Sequence, residues 1–207
     1  MQYLMMFLNK MSEHGRWSAD NGDLTLRLNY PLNSESIVFD VGGYKGKWSE
    51  QIWEKYKPNI FIFEPIYDFA SNIEGNFYGN PKVKVFNCAL SNKTGVEIIN
   101  SNMDGSSFFK NDKNKIEVKI KSLDEFIKEN DINFIDLMKI NIEGGEYALL
   151  DHILDLNIHL IIKNLQIQFH TFIDNAETRR NKIRNRLNQT HKETYCYDFI
   201  WENWEKK

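Results

Sequence analysis

The chain has 207 residues, enough for one domain with a substantial core, and 42% of them are hydrophobic. Its formal net charge is −3, so the overall charge does not indicate binding to a nucleic acid or to a membrane surface. The two cysteines, Cys88 and Cys196, are too few for a disulfide framework or a cysteine metal site.

Residues 1–34 predict an N-terminal helix and a lead-in to the core. Residues 1–16 are interpreted as a short amphipathic helix, and the alternating residues 23–28 as a small edge strand. The apolar start ends at Lys10, too early to span a membrane, and it lacks the features of a signal peptide. We therefore expect a cytoplasmic protein without a membrane span.

Residues 35–207 predict a Rossmann-like α/β core. Core strands are predicted at residues 37–41, 60–63, 83–90, 135–141 and 165–170, with helices between most of them. This alternation is typical of a mostly parallel central sheet with helices on both faces. Residues 96–99 and 116–120 predict a β-hairpin insertion, and Ser122 with Glu125 predicts a capping box at a helix start. The whole chain is predicted to be one domain, with a basic helix and an aromatic tail at its C-terminus.

A glycine turn follows the first core strand. Asp40 ends the apolar run, and Gly42, Gly43 and Gly46 follow it. Glycines allow a sharp turn and close approach of a ligand, and open α/β sheets bind ligands at the carboxyl ends of their strands. The spacing matches neither Gly-x-Gly-x-x-Gly nor a Walker A loop, so a pyrophosphate cradle is not indicated. An acid at the strand end suits a cationic amine better than a phosphate.

The second core strand ends in Glu64, eighteen residues after Gly46. A carboxylate at this place accepts both hydroxyls of a ribose in nucleotide-binding α/β folds. Asp40 for an amino group, the glycine turn and Glu64 for a ribose together describe a site for S-adenosylmethionine.

The chain resembles the FkbM-type S-adenosylmethionine-dependent methyltransferases. The blocks that carry the resemblance are residues 38–46, 62–65, 89–91 with Gly95, and 139–146, and residues 122–126 also fit. The resemblance covers roughly residues 35–170. It implies a Rossmann-like methyltransferase fold and methyl transfer to hydroxyl oxygens, often on sugars or polyketides.

The resemblance also implies which residues bind the cofactor. The methionine part is expected at Asp40, Gly42 and Gly46, the ribose at Glu64, and the adenine near Asn87 and Cys88. The ring of Tyr44 is a candidate to cover the sulfonium. The full set of expected cofactor residues is Asp40, Gly42, Gly43, Tyr44, Gly46, Glu64, Pro65, Asn87, Cys88 and Asn141.

Asn141 departs from the family pattern, which generally has aspartate at this position. Asparagine cannot take a proton and is a poorer ligand for a hard cation than a carboxylate. We therefore predict that no metal is required. Asn141 is instead expected to orient the acceptor or the amino group of the methionine part.

Methyl transfer to a sugar hydroxyl calls for a general base, because such hydroxyls are weak nucleophiles. His170 is the first candidate, since it ends the fifth predicted strand and an ordinary histidine pKa suits proton removal at neutral pH. Glu143, just past the fourth strand, is the second candidate. Glu146 is interpreted as compensating the dipole of the helix that it begins.

Two C-terminal features leave alternatives open. The segment containing Arg179, Arg180, Lys182, Arg184, Arg186 and Lys192 has no acid, and it is either a solvated helix face or a phosphate site for a nucleotide-activated sugar. The aromatic tail is interpreted as core packing or the contact of a homodimer, or as a surface that stacks on a sugar or base, with His191 nearby as a weaker substrate-site candidate. The aromatic residues of this tail are Tyr195, Tyr197, Phe199, Trp201 and Trp204.

The sequence thus predicts an O-methyltransferase for a carbohydrate hydroxyl, such as a sugar nucleotide or a surface-glycan building block. The alternatives are a methyltransferase for a small natural product or nitrogen acceptor, and a non-catalytic binding module that keeps the cofactor fold. An RNA-modifying protein that uses the basic helix is a further alternative, but the balanced charge and the lack of a recognition motif count against it. The expected partner is a small molecule and not a nucleic acid.

Overall fold

The computed structural model describes residues 12–100 and 115–207. Its elements are α1 (Glu13–Ala19), β1 (Ile37–Val41), α2 (Lys47–Tyr56), β2 (Asn59–Phe63), α3 (Tyr67–Asn76), β3 (Val83–Phe86), β4 (Ala89–Ser91), β5 (Gly95–Asn100), β6 (Lys115–Ser122), α4 (Leu123–Glu129), β7 (Ile135–Ile140), α5 (Glu146–Asp155), a 3-10 turn (Ile158–Ile161), β8 (Ile162–Ile167), α6 (Ala176–Leu187), β9 (His191–Tyr197) and β10 (Trp201–Lys206). Over these ranges, no helix combines the length and apolarity needed to cross a membrane.

The main sheet has the strand order β3-β2-β1-β7-β8-β10-β9. The first five strands are parallel, while β10 runs antiparallel to β8 and β9 runs antiparallel to β10. The order reverses between β1 and β7, and the carboxyl ends of these two strands are where an open α/β sheet forms its ligand crevice. The predicted α/β fold with a mostly parallel sheet is confirmed.

Helices cover both faces of the main sheet, as predicted. On one face, Phe39, Phe63 and Ile140 pack against buried residues of α4, α5 and α6. On the other face, Val38 and Ile62 pack against α2 and α3. Successive side chains of each strand therefore pack into cores on opposite faces of the sheet. Because both faces are buried, the sequence of these strands is apolar at every position rather than at alternate ones.

The β-hairpin insertion is confirmed, because β5 and β6 pair antiparallel. They form a second sheet with β4, which pairs parallel with β6. The single strand predicted at residues 83–90 is wrong in extent. It breaks at Asn87 and Cys88, so that β3 belongs to the main sheet and β4 to the second one.

The edge strand predicted at residues 23–28 is wrong. This stretch forms consecutive turns, in which the backbone N–H of Arg27 donates to Gly22 and that of Leu28 donates to Thr25. The Thr25 hydroxyl also donates to the carbonyls of Asp20 and Asn21. Such local side-chain bonds compete with strand formation and favour turns.

Other boundaries differ from the predictions. The helix predicted at residues 1–16 falls partly outside the described residues, and the described helix is α1. The aromatic tail forms two antiparallel strands rather than one. The fifth core strand ends at Ile167, so His170 lies in the loop after it. The helix after Ser122 begins as predicted, but the reciprocal capping box does not form, because the Glu125 carboxylate accepts from Thr94 and Lys121 instead.

A buried ion pair links the two strands at the centre of the sheet. Asp40 on β1 and Lys139 on β7 are register partners, with Lys139 Nζ 2.8 Å from Asp40 Oδ1. The second Asp40 oxygen accepts a hydrogen bond of 2.6 Å from the Ser49 hydroxyl. The two side chains of the pair are 5% and 0% exposed, so each charge depends on its partner.

Lys139→Met is expected to lower the free energy of unfolding by about 3–5 kcal/mol, because it leaves the Asp40 carboxylate buried without its counter-charge. Urea denaturation would measure the loss. The double variant Asp40→Asn, Lys139→Met should be more stable than the single variant, since it buries no uncompensated charge. A single variant as stable as the double would contradict this role for the pair.

Candidate active site

A cavity of ≈ 1060 Å³ lies at the carboxyl edge of β1, β2 and β7. Its walls are the glycine turn, the segment after β2, the second sheet, the loops after β7 and β8, and a group formed by the 23–27 turn segment with Trp201. The volume and the position are those of a site for a small molecule in an open α/β fold.

The glycine turn is folded tightly against the loop that follows β7. Gly42 has a positive φ of 91°, and a Cβ at this position would lie 2.0 Å from the backbone oxygen of Asn141. The N–H groups of Gly42 and Gly43 both donate to the carbonyl of Phe63 at the end of β2. Only glycine fits this close approach, and Gly42 and Gly43 both line the cavity.

Glu64 lies at the cavity wall, held by two backbone groups. Its Oε2 accepts from the N–H of Tyr44 at 2.7 Å, and its Oε1 accepts from the N–H of Ile66 at 2.9 Å. Burial raises the pKa of Glu64 to about 7, although these two hydrogen bonds lower it. Each carboxylate oxygen keeps a lone pair for a further donor, so the residue can accept two ligand hydroxyls.

Asp40 does not line the cavity, contrary to the prediction that it contacts the methionine part. Both of its oxygens are taken by Ser49 and Lys139 inside the sheet. Lys139 also donates to the carbonyl of Gly42 at 2.6 Å. Asp40 therefore holds the glycine turn from behind, and Lys139 is the member of the pair that reaches the cavity wall.

Some of the remaining residues predicted to bind the cofactor line the cavity, and the others lie behind its wall. Tyr44 and Pro65 line the cavity, whereas Gly46, Asn87 and Cys88 do not. Gly46 is the N-cap of α2. The Asn87 amide donates to the carbonyls of Glu64 and Pro65 at 3.0 and 2.9 Å, so it fixes the segment that carries the carboxylate. Cys88 packs against the core, and its burial raises the pKa of its thiol.

Asn141 lines the cavity and has an unsatisfied oxygen. Its side-chain Oδ1 is shielded from water and has no hydrogen-bond partner among the described residues. A buried acceptor of this kind is costly unless a donor meets it. An ammonium or hydroxyl group of a ligand would supply that donor. The hydrogen-bond acceptors at the cavity, the Glu64 carboxylate and Asn141 Oδ1, thus fit S-adenosylmethionine, which carries ribose hydroxyl and ammonium donors.

His170 does not line the cavity, but Glu143 does. Glu143 Oε2 lies 3.5 Å from His170 Nε2. On the other side of the ring, Glu146 Oε1 lies 3.1 Å from His170 Nδ1 and also accepts from the His170 backbone N–H. Glu146 is fully buried, and its Oε2 accepts from the N–H of Gly144. Beyond beginning α5, it therefore fixes the histidine behind Glu143.

The electrostatics of this trio favour a charged histidine. Burial lowers the pKa of His170, but its hydrogen bond to Glu146 and the charges of Glu146 and Glu143 raise the pKa above its ordinary value. Burial raises the pKa of Glu143, while the His170 charge lowers it. A raised pKa makes His170 a weaker candidate for the neutral base, and Glu143 rather than His170 lines the cavity, so Glu143 is better placed to accept a proton.

Two residues at the cavity wall have strained backbone conformations. Tyr44 and Glu143 have φ angles of 51° and 50°, in the left-handed region that non-glycine residues rarely adopt. Each lies next to a glycine with positive φ or within the glycine turn, and each lines the cavity. Strain of this kind concentrates at ligand-binding sites, where the surrounding structure imposes it.

The arginines of the basic segment are paired with acids rather than free for a phosphate. Arg180 and Arg184 both contact the buried Glu202, and Arg186 contacts Asp155. The buried His191 contacts the backbone carbonyl of Ile162 through Nε2, outside the cavity lining.

Several residues at the cavity were not identified from the sequence. Lys139 was recognised only as part of a family block, although a lysine inside an apolar strand, in register with Asp40, signals an ion pair. Arg27 carried no signal, and Trp201 was considered only as part of the aromatic tail, because nothing local in the sequence shows that the two residues meet. The described residues contain no group of three His, Cys, Asp or Glu side chains that could hold a metal, and the absence of a metal requirement stays a prediction.

Solved structures with a similar fold include several methylases. One, from Clostridium thermocellum and assigned as an rRNA methylase, has a TM-score of 0.52 and 11% identity, covering 95% of this chain and 96% of that one. The rRNA methylase from Streptococcus thermophilus has a TM-score of 0.50 and 11% identity, covering 90% and 93%. The Methanococcus jannaschii fibrillarin pre-rRNA processing protein has a TM-score of 0.51 and 8% identity, covering 86% and 69%. At these identities the similarity shows a shared fold only.

No protein of curated function matches the sequence significantly. The methyltransferase FkbM domain family matches residues 40–195, which is more than half of the chain. This range includes the glycine turn, Glu64, Asn141 and the Glu143–His170 pair. The chain therefore belongs to the FkbM family of S-adenosylmethionine-dependent methyltransferases.

Proposed function

We propose that the protein methylates a hydroxyl group of a carbohydrate, such as a nucleotide-activated sugar or a surface-glycan building block. The observation that carries this proposal is the carboxylate of Glu143, which is 39% exposed and faces the same cavity as the glycine turn and Glu64. A hydroxyl acceptor needs a base at the methyl-transfer end of the site, and Glu143 supplies one.

In the proposed site, Glu64 accepts hydrogen bonds from the ribose hydroxyls. Asn141 accepts one from the ammonium group of the methionine part or from the acceptor, since its Oδ1 has no partner among the residues that the structure describes. Gly42 and Gly43 let the backbone approach the ligand, and Tyr44 and Pro65 complete the wall. S-adenosylmethionine, when bound, supplies an electrophilic methyl group on a sulfonium.

Glu143 is the proposed general base, and His170 is the residue that positions it. The imidazolium, held from behind by Glu146, stabilises the ionised form of Glu143 and fixes its orientation. With S-adenosylmethionine bound, Glu143 would accept the hydroxyl proton while the acceptor oxygen takes the methyl group, and the broken carbon–sulfur bond would leave S-adenosylhomocysteine. Holding base and acceptor in alignment in a confined cavity supplies much of the rate enhancement in such displacements.

The carbohydrate class follows from the family's usual acceptors, and one feature favours a second candidate. Ile99, Val118 and Ile120 make one wall of the cavity apolar, which would also suit a small natural product. An RNA substrate is less well supported. Arg180 and Arg184 on the basic helix are neutralised by carboxylates, whereas binding to a phosphate backbone needs unpaired cations.

The affinity for S-adenosylhomocysteine is expected to depend on pH through Glu64. The ribose hydroxyls donate to the ionised carboxylate, whose pKa is raised to about 7 in the free protein. Affinity should therefore be fully present above about pH 7 and fall as the pH drops, by up to about tenfold per unit. Isothermal titration calorimetry at pH 6 and pH 8 measures this change.

Glu64→Gln is the matching variant. It should bind S-adenosylhomocysteine about 10–100-fold more weakly at pH 8, because charge-assisted hydrogen bonds are lost, and its affinity should not change between pH 6 and 8. Glu54→Gln, on the exposed face of α2, is the control. Equal affinity at both pH values in the unmodified protein would refute the role of Glu64.

Glu143→Gln is expected to reduce methyl transfer about 10²-fold or more, because the acceptor loses its base. Its affinity for S-adenosylhomocysteine should stay unchanged, since Glu143 serves the acceptor and not the cofactor. The measurement is a methyl-transfer screen against sugar nucleotides and small natural products, followed by calorimetry. A Glu143→Gln enzyme with full turnover would rule out Glu143 as the base.

His170→Gln should alter the pH profile rather than abolish the reaction. Removing the imidazolium removes the charge that lowers the pKa of Glu143. The acidic limb of the kcat profile should therefore move to higher pH. A merely structural histidine would lower activity without moving this limb, so an unmoved limb counts against the positioning role.

A further inference from the structure

The cavity wall carries positive charge that the proposed chemistry leaves unassigned. Arg27, from the turn segment before β1, and Lys47, the first residue of α2, both line the cavity, together with Trp201 at the start of β10. The two segments are in contact, because Trp48, the residue after Lys47, donates through Nε1 to the Arg27 carbonyl. Arg27 and Trp201 lie outside the family match at residues 40–195. Family membership therefore assigns them no role.

The guanidinium of Arg27 is fixed before any ligand arrives. Its Cζ lies 4.2 Å from the centroid of the Trp201 ring, within cation–π distance. The backbone carbonyl of Arg27 accepts hydrogen bonds from Trp48 Nε1 at 3.2 Å and from Gln166 Nε2 at 3.1 Å. These contacts tie Arg27 to the start of α2 and to β8. A cation held in this way loses little further freedom on binding.

The charge of Arg27 is weakly compensated. Its hydrogen-bonding carboxylate within the described ranges is Asp23, at 2.9 Å, and the Asp23 side chain is 63% exposed. Pairs of this kind contribute little because water screens them. Arg27 Nε is shielded and meets no hydrogen-bond acceptor within residues 12–100 and 115–207. Lys47 is exposed, and in the part of the chain that the structure describes it has no carboxylate partner.

Among the described lining lysines, Lys93 and Lys139 differ from Lys47 because each is paired with an acid. At the second-sheet end of the cavity, Lys93 pairs with Glu97 at 2.8 Å. Lys139 is neutralised by Asp40 inside the sheet.

Lys45, in the glycine turn, also lines the cavity, with its Nζ 5.1 Å from the centroid of the Tyr44 ring. Among the described lining residues, the weakly compensated positive charge therefore lies on Arg27, Lys47 and Lys45, in the glycine turn and the elements next to it.

We propose that Arg27 and Lys47 form an anion-binding subsite for a carboxylate or phosphate group of a bound small molecule. A guanidinium presents its donors in a planar fork that matches the oxygens of both groups, and Lys47 adds a second positive charge. Two molecules are candidates to carry this anion, and both candidates rest on the proposed function. It is either the carboxylate of the cofactor's methionine part or an acidic group of the acceptor, such as the phosphate of a sugar nucleotide.

The test compares Arg27→Gln and Lys47→Gln with Arg16→Gln. Arg16 is a matched control, because it also lies over an aromatic ring, that of Tyr197, and pairs with an acid, Glu13, yet does not line the cavity. Calorimetry measures binding of S-adenosylhomocysteine and of 5′-methylthioadenosine, which lacks the amino-acid carboxylate. A third titration adds inorganic phosphate to the protein with and without S-adenosylhomocysteine.

Each source of the anion predicts a different result. If it is the cofactor carboxylate, Arg27→Gln and Lys47→Gln each weaken S-adenosylhomocysteine about tenfold or more and leave 5′-methylthioadenosine unchanged. If it belongs to the acceptor, both nucleosides bind normally and the affinity for phosphate falls instead. Variants that bind all three probes as Arg16→Gln does would overturn the proposal.

Folding and the proposed function are checked separately. Lys47 is exposed, so Lys47→Gln tests the subsite even if Arg27→Gln does not fold. Arg27→Lys, which keeps the charge but loses the fork, should restore part of the lost affinity. An unmodified protein that binds phosphate but neither nucleoside would contradict the cofactor site, while the phosphate titrations would still decide the anion subsite.

Discussion

The ion pair between Asp40 and Lys139 is the interaction on which the site depends. It joins the two strands at the point where the sheet order reverses, and Lys139 also holds the carbonyl of Gly42. Taking two charges out of water costs several kcal/mol per ion, and their attraction repays this cost only when the geometry is good. The pair therefore contributes mainly by positioning, because it fixes the place of the glycine turn.

The cavity then follows from the topology of the sheet. Parallel strands bring the turns after β1, β2 and β7 to one edge, and each turn contributes one function. The turn after β1 allows close approach, Glu64 after β2 accepts hydrogen bonds, and Glu143 after β7 brings a carboxylate to the cavity. The left-handed conformation of Tyr44 is held by the hydrogen bond from its N–H to Glu64, and Gly144, the residue after the left-handed Glu143, donates to Glu146.

Much of the fold could be predicted from the sequence, because the signals are local. The apolar runs predicted the parallel strands, and the alternation at residues 96–99 and 116–120 predicted the hairpin. The glycine spacing argued against a pyrophosphate cradle. The turns at residues 23–28 were mistaken for a strand, since the decisive hydrogen bonds of Thr25 compete with a short alternating pattern.

The details of the site depended on contacts between distant residues. Asp40 was expected to meet the cofactor, but its partners Ser49 and Lys139 became evident only when β1 and β7 were paired. His170 was expected at the cavity, but β8 ends three residues earlier and Glu146 holds the ring behind Glu143. Arg27 and Trp201 are separated by most of the chain, and no periodic pattern in the sequence predicts their contact.

A crystal structure of the protein with S-adenosylhomocysteine bound tests most directly whether this cavity is the cofactor site. The ribose hydroxyls are predicted to lie within hydrogen-bond distance of the Glu64 carboxylate. The sulfur is predicted to lie in the part of the cavity lined by Asn141 and Glu143. A ligand bound elsewhere, or one that leaves Glu64 with only its bonds to Tyr44 and Ile66, would contradict the assignment.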